Sequence, residues 1–296
     1  MFNALNPIGY DGYALGTWFD NYPYMKRLNL TIILLGLMTT MQTLAQNSGA
    51  TETDDKKTGL PTVSHSSFQR GERLEYEVSY GWIDAGEAII EIKDEKKTIA
   101  GRDVMHVVGK GNSMGTFNWF FKVRDTYETY LDSEGVFPWI FVRDIEEGDF
   151  KMKQYYTFNQ FKRTVKTNKG KVHDVPVGVQ DMISAFYYAR TFDFSDAEPN
   201  QVYEMYIFID NELWPLRIRY LRRERIKVDK GTYDCMVFVP VVQEGRIFKK
   251  EEDMMVWVTD DENKIPILAK AKILVGSVTM EIRDYHGLAN PVSKVK

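Results

Sequence analysis

Leu74, Tyr76, Val78 and Tyr80 stand at every second position, with Glu75, Glu77 and Ser79 between them. A two-residue apolar period turns one face of an extended chain to a core and the other to water, and an α-helix cannot use it. Similar segments return at 87–93, 104–108, 125–131, 138–145, 150–158 and 162–167, and again at 201–208, 216–220, 224–228, 233–242, 254–259, 265–273 and 277–285. The polar and glycine-bearing turns between them are too short for crossover helices, which predicts antiparallel meanders. The expected fold class is therefore all-β. Antiparallel sheets of this many strands must curl or close, into an open or closed barrel or roll, to protect their edges.

One stretch breaks the period. Within 179–191, Met182, Ile183, Phe186, Tyr187 and Arg190 recur at helical spacing behind Asp181, a good N-cap residue. A single central helix over 180–191 is expected, joining two similar halves at about 72–170 and 201–285. Shifted by 130 residues, Tyr76 and Val78 meet Tyr206 and Phe208, and Gly101 meets Gly231. Shifted by 128, Asp132, Pro138 and Gly148 meet Asp260, Pro266 and Gly276.

Residues 25–45 have the layout of a secretory signal peptide. Met25-Lys26-Arg27 is a basic start, an apolar run follows from Leu28, and Thr43-Leu44-Ala45 supplies small residues before a cut at Gln46. The expectation is an exported protein, periplasmic or associated with the outer envelope, without a transmembrane span after cleavage. Residues 1–24 then read as an upstream extension, with Met25 as the initiator. Residues 46–70 are polar and aperiodic, a disordered leader; 71–288 form one β-rich domain, and 289–296 a tail.

A formal net charge of −4 argues against a nucleic-acid partner. The four histidines are scattered without metal-ligand spacing, and no nucleophile elbow or nucleotide fingerprint occurs, so neither a metal, a cofactor nor a catalytic residue is expected. The lone cysteine, Cys235, lies in an apolar run and reads as a buried, inert thiol. The acids of 144–149 could serve a glycan hydrolase only if two of them faced each other across a cleft, and 260–263 reads as a hairpin loop.

Two features suit a ligand. Phe117, Trp119, Phe120 and Phe121 crowd around Asn118 after a glycine-rich segment, and could line an apolar pocket or touch a lipid surface. Arg217 and Arg219 open a basic row that continues through Arg222, Arg223 and Arg225, suited to phosphate or carboxylate groups. Core packing and a solvated strand face balanced by Glu251, Glu252 and Asp253 are the plainer alternatives.

Four stretches together resemble the DUF3108 family of uncharacterised secreted proteins. They are Glu72 to Gly81 with Ala85-Gly86-Glu87-Ala88; the helix with Asp181, Ser184, Ala185, Tyr187, Tyr188 and Arg190; Gly231-Thr232-Tyr233-Asp234-Cys235; and Met255 to Asp261 with Ile265-Pro266 and Gly276-Ser277. The resemblance implies a β-rich envelope protein and brings no catalytic residue. It makes Asp181, Ser184 and Arg190 architectural: the first two cap the helix and Arg190 reaches a carboxylate at a sheet end, while Phe186 and Tyr187 pack the core. The pattern from Trp257 to Pro266 is also similar to lipoprotein carriers of the LolA and LolB kind, which implies an open barrel that holds acyl chains. The expected function is non-catalytic binding or scaffolding of an apolar or amphiphilic ligand, a lipid or glycolipid. A glycan hydrolase, or an assembly protein that pairs with another envelope protein, is the alternative.

Overall fold

The computed structural model describes residues 59–241, 253–272 and 276–295. The expected upstream extension, the expected signal peptide and the first part of the expected leader lie outside the described residues.

The alternating segments form antiparallel strands. The first run is β1 (Arg73–Tyr80), β2 (Ile83–Ile92), β3 (Lys97–Ile99), β4 (Arg102–Ser113), β5 (Arg124–Asp132), β6 (Pro138–Glu147), β7 (Phe150–Asn159), β8 (Thr164–Thr167) and β9 (Val172–Asp174). A short helix, α1 (Phe117–Phe120), interrupts it between β4 and β5, and the central helix α2 (Met182–Ala189) follows it. The second run is β10 (Val202–Ile209), β11 (Glu212–Val228), β12 (Gly231–Pro240), β13 (Met254–Thr259), β14 (Pro266–Lys272), β15 (Ser277–His286) and β16 (Lys294–Val295).

In the sheet the second run precedes the first. The order is β10-β11-β12-β13-β14-β15-β1-β2-β4-β5-β6-β7-β8-β9, with β16 beside β12 and β3 beside β4. The junction is the pairing of β1 with β15, where Tyr76 faces Ile282 and Val78 faces Met280. Bulges at Glu75/Tyr76, Val78/Ser79, Tyr130/Leu131, Tyr220/Arg222 and Trp257/Val258 add the local twist that curls so wide a sheet. Its edges approach one another without pairing as strands. Gln180 makes a parallel bridge to β10, donating to Tyr206 O and accepting from Phe208 N at 2.8 Å each, and the His173 ring meets Phe208 edge-on at 5.1 Å.

The two-residue period fixes the inside. On β1, Leu74, Tyr76 and Val78 are buried while Arg73, Glu75 and Glu77 face outward; on β7, Gln154, Tyr156 and Phe158 are buried between exposed Lys153, Tyr155 and Thr157. Apolar inside and charged outside is the reverse of a membrane-spanning barrel. No helix among the described residues is long and apolar enough to cross a membrane. The described residues form four apolar clusters, of which two are large. One gathers Val107, Tyr127, Leu131, Phe141, Tyr156, Ile183, Tyr187 and Phe208. The other gathers Leu74, Tyr76, Val78, Tyr233, Val237, Ile267 and Ile282. Phe186 packs against both, so α2 lies between the two groups of strands.

The segment 59–70 departs from the disordered leader expected of it. Leu60 and Phe68 are buried, Val63 N donates to Glu134 O at 2.8 Å, and Ser67 exchanges hydrogen bonds with Arg190. Its apolar residues are too far apart to show a period, and its polar backbone is satisfied by the barrel instead. The tail is also ordered from 289 to 295: β16 pairs with Thr232 and Tyr233, and Asn290 and Ser293 bond to Asn263 and Asp261.

Candidate ligand cavities

Helix α2 starts where its side chains can replace missing turn partners. Asp181 Oδ1 accepts from Ile183 N and Ser184 N at 2.8 Å each, and Ser184 Oγ accepts from Asp181 N at 2.8 Å, a reciprocal capping box. The other carboxylate oxygen accepts from Thr129 Oγ1 on β5. Asp181 is fully buried, and that burial pushes its carboxyl up to about 6, against the opposing hydrogen bonds of Ser184, Thr129 and Ile183.

The other end of α2 is tied by Arg190. Its guanidinium forks onto both Glu72 oxygens at 2.6 and 2.8 Å, and donates to Ser67 O at 2.8 Å and Asn263 O at 2.9 Å. Phe68, Phe186 and Tyr187 rings stand 5.2–5.5 Å from it. Both charged side chains are almost wholly buried, 3% and 0% exposed. Burial opposes the Arg190 charge, but the Glu72 carboxylate holds its pKa above the ordinary value. Burial, with the Glu72 charge, also raises the Tyr187 phenol. Arg190 thus joins the leader, the residue before β1, the β13–β14 loop and α2 in one hydrogen-bonded group.

Between these two anchors the helix leaves space. One cavity of about 80 Å³ lies between α2 and the β2–β4–β5 wall, lined by Tyr76, Ala88, Gly109, Tyr127, Ile183 and Phe186. A second of about 150 Å³ lies against β10–β14, lined by Ala185, Ala189, Met205, Leu216, Val256 and Ala269, among others. Phe186 and Met280 line both. Phe194 and Lys264 line the second cavity and also a polar cleft of about 580 Å³ outside it, whose walls include His65, Ser66, Asp193, Ser195 and Arg223. Burial, then Arg190 and Lys264, lower the His65 pKa, and His65 Nδ1 is buried without a hydrogen-bond partner.

The sequence-derived candidates fall elsewhere. Residues 117–120 form α1 and Phe121 follows it, at the rim where β1 ends and β2 begins; Phe117, Trp119 and Phe121 line neither cavity. Phe117 sits 6.5 Å from the Tyr80 ring, Phe121 packs on Gly148, and Trp119 is 86% exposed. Trp82, in the adjoining β1–β2 turn, is 91% exposed. Phe117, Trp119 and Phe121 thus belong neither to the buried core nor to the two cavities, and the four-residue helix turns its indole outward. The arginine row on β11 is neutralised within the sheet rather than open to an anion. Arg217 pairs with Glu204, Arg222 with Glu224, Arg223 with Asp260 and Arg225 with Asp234, and Arg219 donates to Asn200 Oδ1.

The acids of 144–149 do not form a facing pair: Asp144 bonds Lys153, Glu146 bonds Lys122 and Lys151, and Glu147 turns inward. Asp261 is taken up by the amides of Asn263, Lys264 and Ser293. Among the described residues no group of three or more His, Cys, Asp or Glu could hold a metal ion. The Cys235 thiol is buried, and that burial pushes it up to about 12, far from a reactive thiolate. Sequence reasoning missed the cavities themselves. Their small lining residues, Ala185, Ala189 and Ala269, carry no chemical signature.

The family model described as "Protein of unknown function (DUF3108)" matches residues 75–283. The chain belongs to the DUF3108 family. Among solved structures, this DUF3108 chain is similar to a beta-barrel-like DUF1849 protein from Brucella abortus, at 11% identity and a TM-score of 0.49, over 74% of this chain and 98% of that one. It is similar to a DUF1089 family protein from Pseudomonas aeruginosa at 12% identity and a TM-score of 0.35, over 61% and 87%. A third is described as a candidate lipoprotein, from Parabacteroides distasonis, at 10% identity and a TM-score of 0.34, over 76% and 99%. No curated protein matches the chain.

Proposed function

We propose that this DUF3108 chain is an exported, non-catalytic binding protein that holds the apolar chain of an amphiphile between α2 and the sheet. The observation that carries the reading is the pair of apolar cavities flanking Phe186. Both lie between α2 and the inner face of the sheet, lined mainly by apolar side chains. An apolar cavity of the order of 150 Å³ stays dry and takes up an apolar guest. The same reading gives Trp82 and Trp119, on the rim beside the first cavity, the water–bilayer boundary at which the amphiphile is exchanged, since indoles prefer that boundary.

Native mass spectrometry of the protein purified gently from its own envelope, followed by lipid extraction, tests the reading. The expected result is a mass increment that extracts as an acyl compound. A variant with the second cavity filled, Ala269→Phe, is expected to fold and to carry less of it. Apo protein alone, or an equal load in the filled variant, would overturn the reading.

A further inference from the structure

We infer that the amphiphile is anionic, and that its carboxylate or phosphate group rests on Lys264 at the passage from the second cavity to the polar cleft. This rests on the amphiphile reading above and adds to it the charge and position of the headgroup.

The geometry of the passage carries the inference. Lys264 is half-buried and lines both the apolar cavity and the polar cleft, as does Phe194. Among the described residues its ammonium makes no hydrogen bond and no ion pair; only its backbone N–H is used, in the bond to Asp261. The neighbouring cations differ. Arg190, which also lines the second cavity, is neutralised by Glu72. Arg223, in the cleft, is bound to Asp260 and to the carbonyls of Phe194 and Ser195. Lys264 is therefore the cation at this junction without an ion-pair partner among the described residues, although, after the hydrogen bonds from Ser195, its charge also helps to lower the Asp193 pKa.

The acids around it have other work. Asp261 accepts turn amides, Asp193 accepts from Ser195 N at 2.9 Å, and Glu262 accepts from Ser66 Oγ at 3.3 Å. An amine held where an apolar wall meets a polar one matches a molecule with an anionic group at the end of an apolar chain. Ser64, Ser66 and Ser195 line the same cleft. They provide hydrogen bonds for the polar remainder of such a headgroup.

Three single-chain probes of equal length separate the possibilities: a fatty acid, the matching lysophosphatidate, and the neutral fatty alcohol. Binding is read by displacement of a fluorescent polyene acid from the full chain. Both anions are expected to bind about tenfold more tightly than the alcohol, the effect of roughly one charge-assisted hydrogen bond. The anion with the larger preference identifies carboxylate or phosphate as the natural group. Lys264→Met keeps an apolar stem of similar length and is expected to remove the preference for the anions over the alcohol; Lys264→Arg is expected to keep it. A Lys264→Met variant that still prefers the anions would overturn the inference and leave the amphiphile reading standing. Wild-type protein that binds none of the three probes would overturn the amphiphile reading and the inference with it.

Discussion

Asp181 gives the most demanding test of the interior, because its burial and its capping role act on its charge in opposite directions. Its carboxyl rises from the ordinary value of about 4 to about 6, so the folded protein binds this proton more tightly than the unfolded chain does. The sign follows: the favourable contribution is present in full below pH 4 and is lost as the pH rises through 6. The rise corresponds to about 3 kcal/mol in total, of which about 2 kcal/mol is lost between pH 4 and 7. Asp181→Asn removes the titration and keeps the geometry. Oδ1 still accepts from Ile183 N and Ser184 N, and the new Nδ2 donates to Thr129 Oγ1, whose own proton turns to Ile140 O, 3.2 Å away. Urea unfolding of wild type and Asp181→Asn at pH 4, 5, 6 and 7 measures the difference directly. The variant is expected to gain about 2 kcal/mol on the wild type from pH 4 to 7. Subtraction matters, because carboxylates such as Glu91 and Asp284, held low by hydrogen bonds from Lys93 and Lys230, lose their contribution as the pH falls and tilt the raw curves the other way. Asp181→Ala, which loses the cap, should lie about 1 kcal/mol below Asp181→Asn at every pH. A pH-independent difference between wild type and Asp181→Asn would refute the assignment of a buried, destabilised carboxylate.

Arg190→Met is expected to lower stability by about 3–5 kcal/mol, because it leaves the Glu72 carboxylate buried without a counter-charge, and Glu72→Gln in the same chain should restore part of the loss. Denaturant melts of the double-mutant cycle check this, and additive losses would show that the two side chains do not act as a pair. Gly86→Ala would set a Cβ 2.2 Å from Asn112 O, a backbone atom that cannot yield without moving β4, and should cost about 1–3 kcal/mol in the same assay; an unchanged midpoint would mean that β2 and β4 are not held at this distance. Replacing Trp82 and Trp119 with serine should leave the melting temperature nearly unchanged, since both indoles are exposed, while lowering co-sedimentation with phospholipid vesicles. Equal sedimentation of the two forms would remove these residues from the membrane reading.

The strands were legible in the sequence wherever one face alternated without interruption, as on β1, β6 and β7. β11 reads as two strands because its bulge between Tyr220 and Arg222 shifts the phase of the pattern, so that Arg222 and Arg223 stand side by side and the apolar period breaks. α1 was illegible for a different reason: four residues are too few to show a helical period, and Phe117, Trp119 and Phe120 read equally well as core. The anchor at Arg190 was visible as a cation at the end of a helix. Its partner was not, because Glu72 lies 118 residues away in the chain and only the β1–β15 junction brings that stretch beside α2.

The cavities were beyond sequence reasoning because they follow from a mismatch of lengths. An eight-residue α2 rises about 12 Å, whereas ten-residue strands such as β6 and β7 run about 33 Å and still span roughly 25 Å of barrel height after an ordinary tilt. The helix is pinned at both ends, by Thr129 on Asp181 and by Glu72 on Arg190, and cannot slide to even out the remaining volume. The wall that faces it includes the small residues Gly109, Ala88 and Ala269, and Phe186 lines both cavities. Space therefore collects on both sides of that ring. A larger residue on α2 at Ala185 or Ala189 would fill it, which is why the persistence of small side chains there, rather than any reactive group, is the sequence feature that a ligand would require.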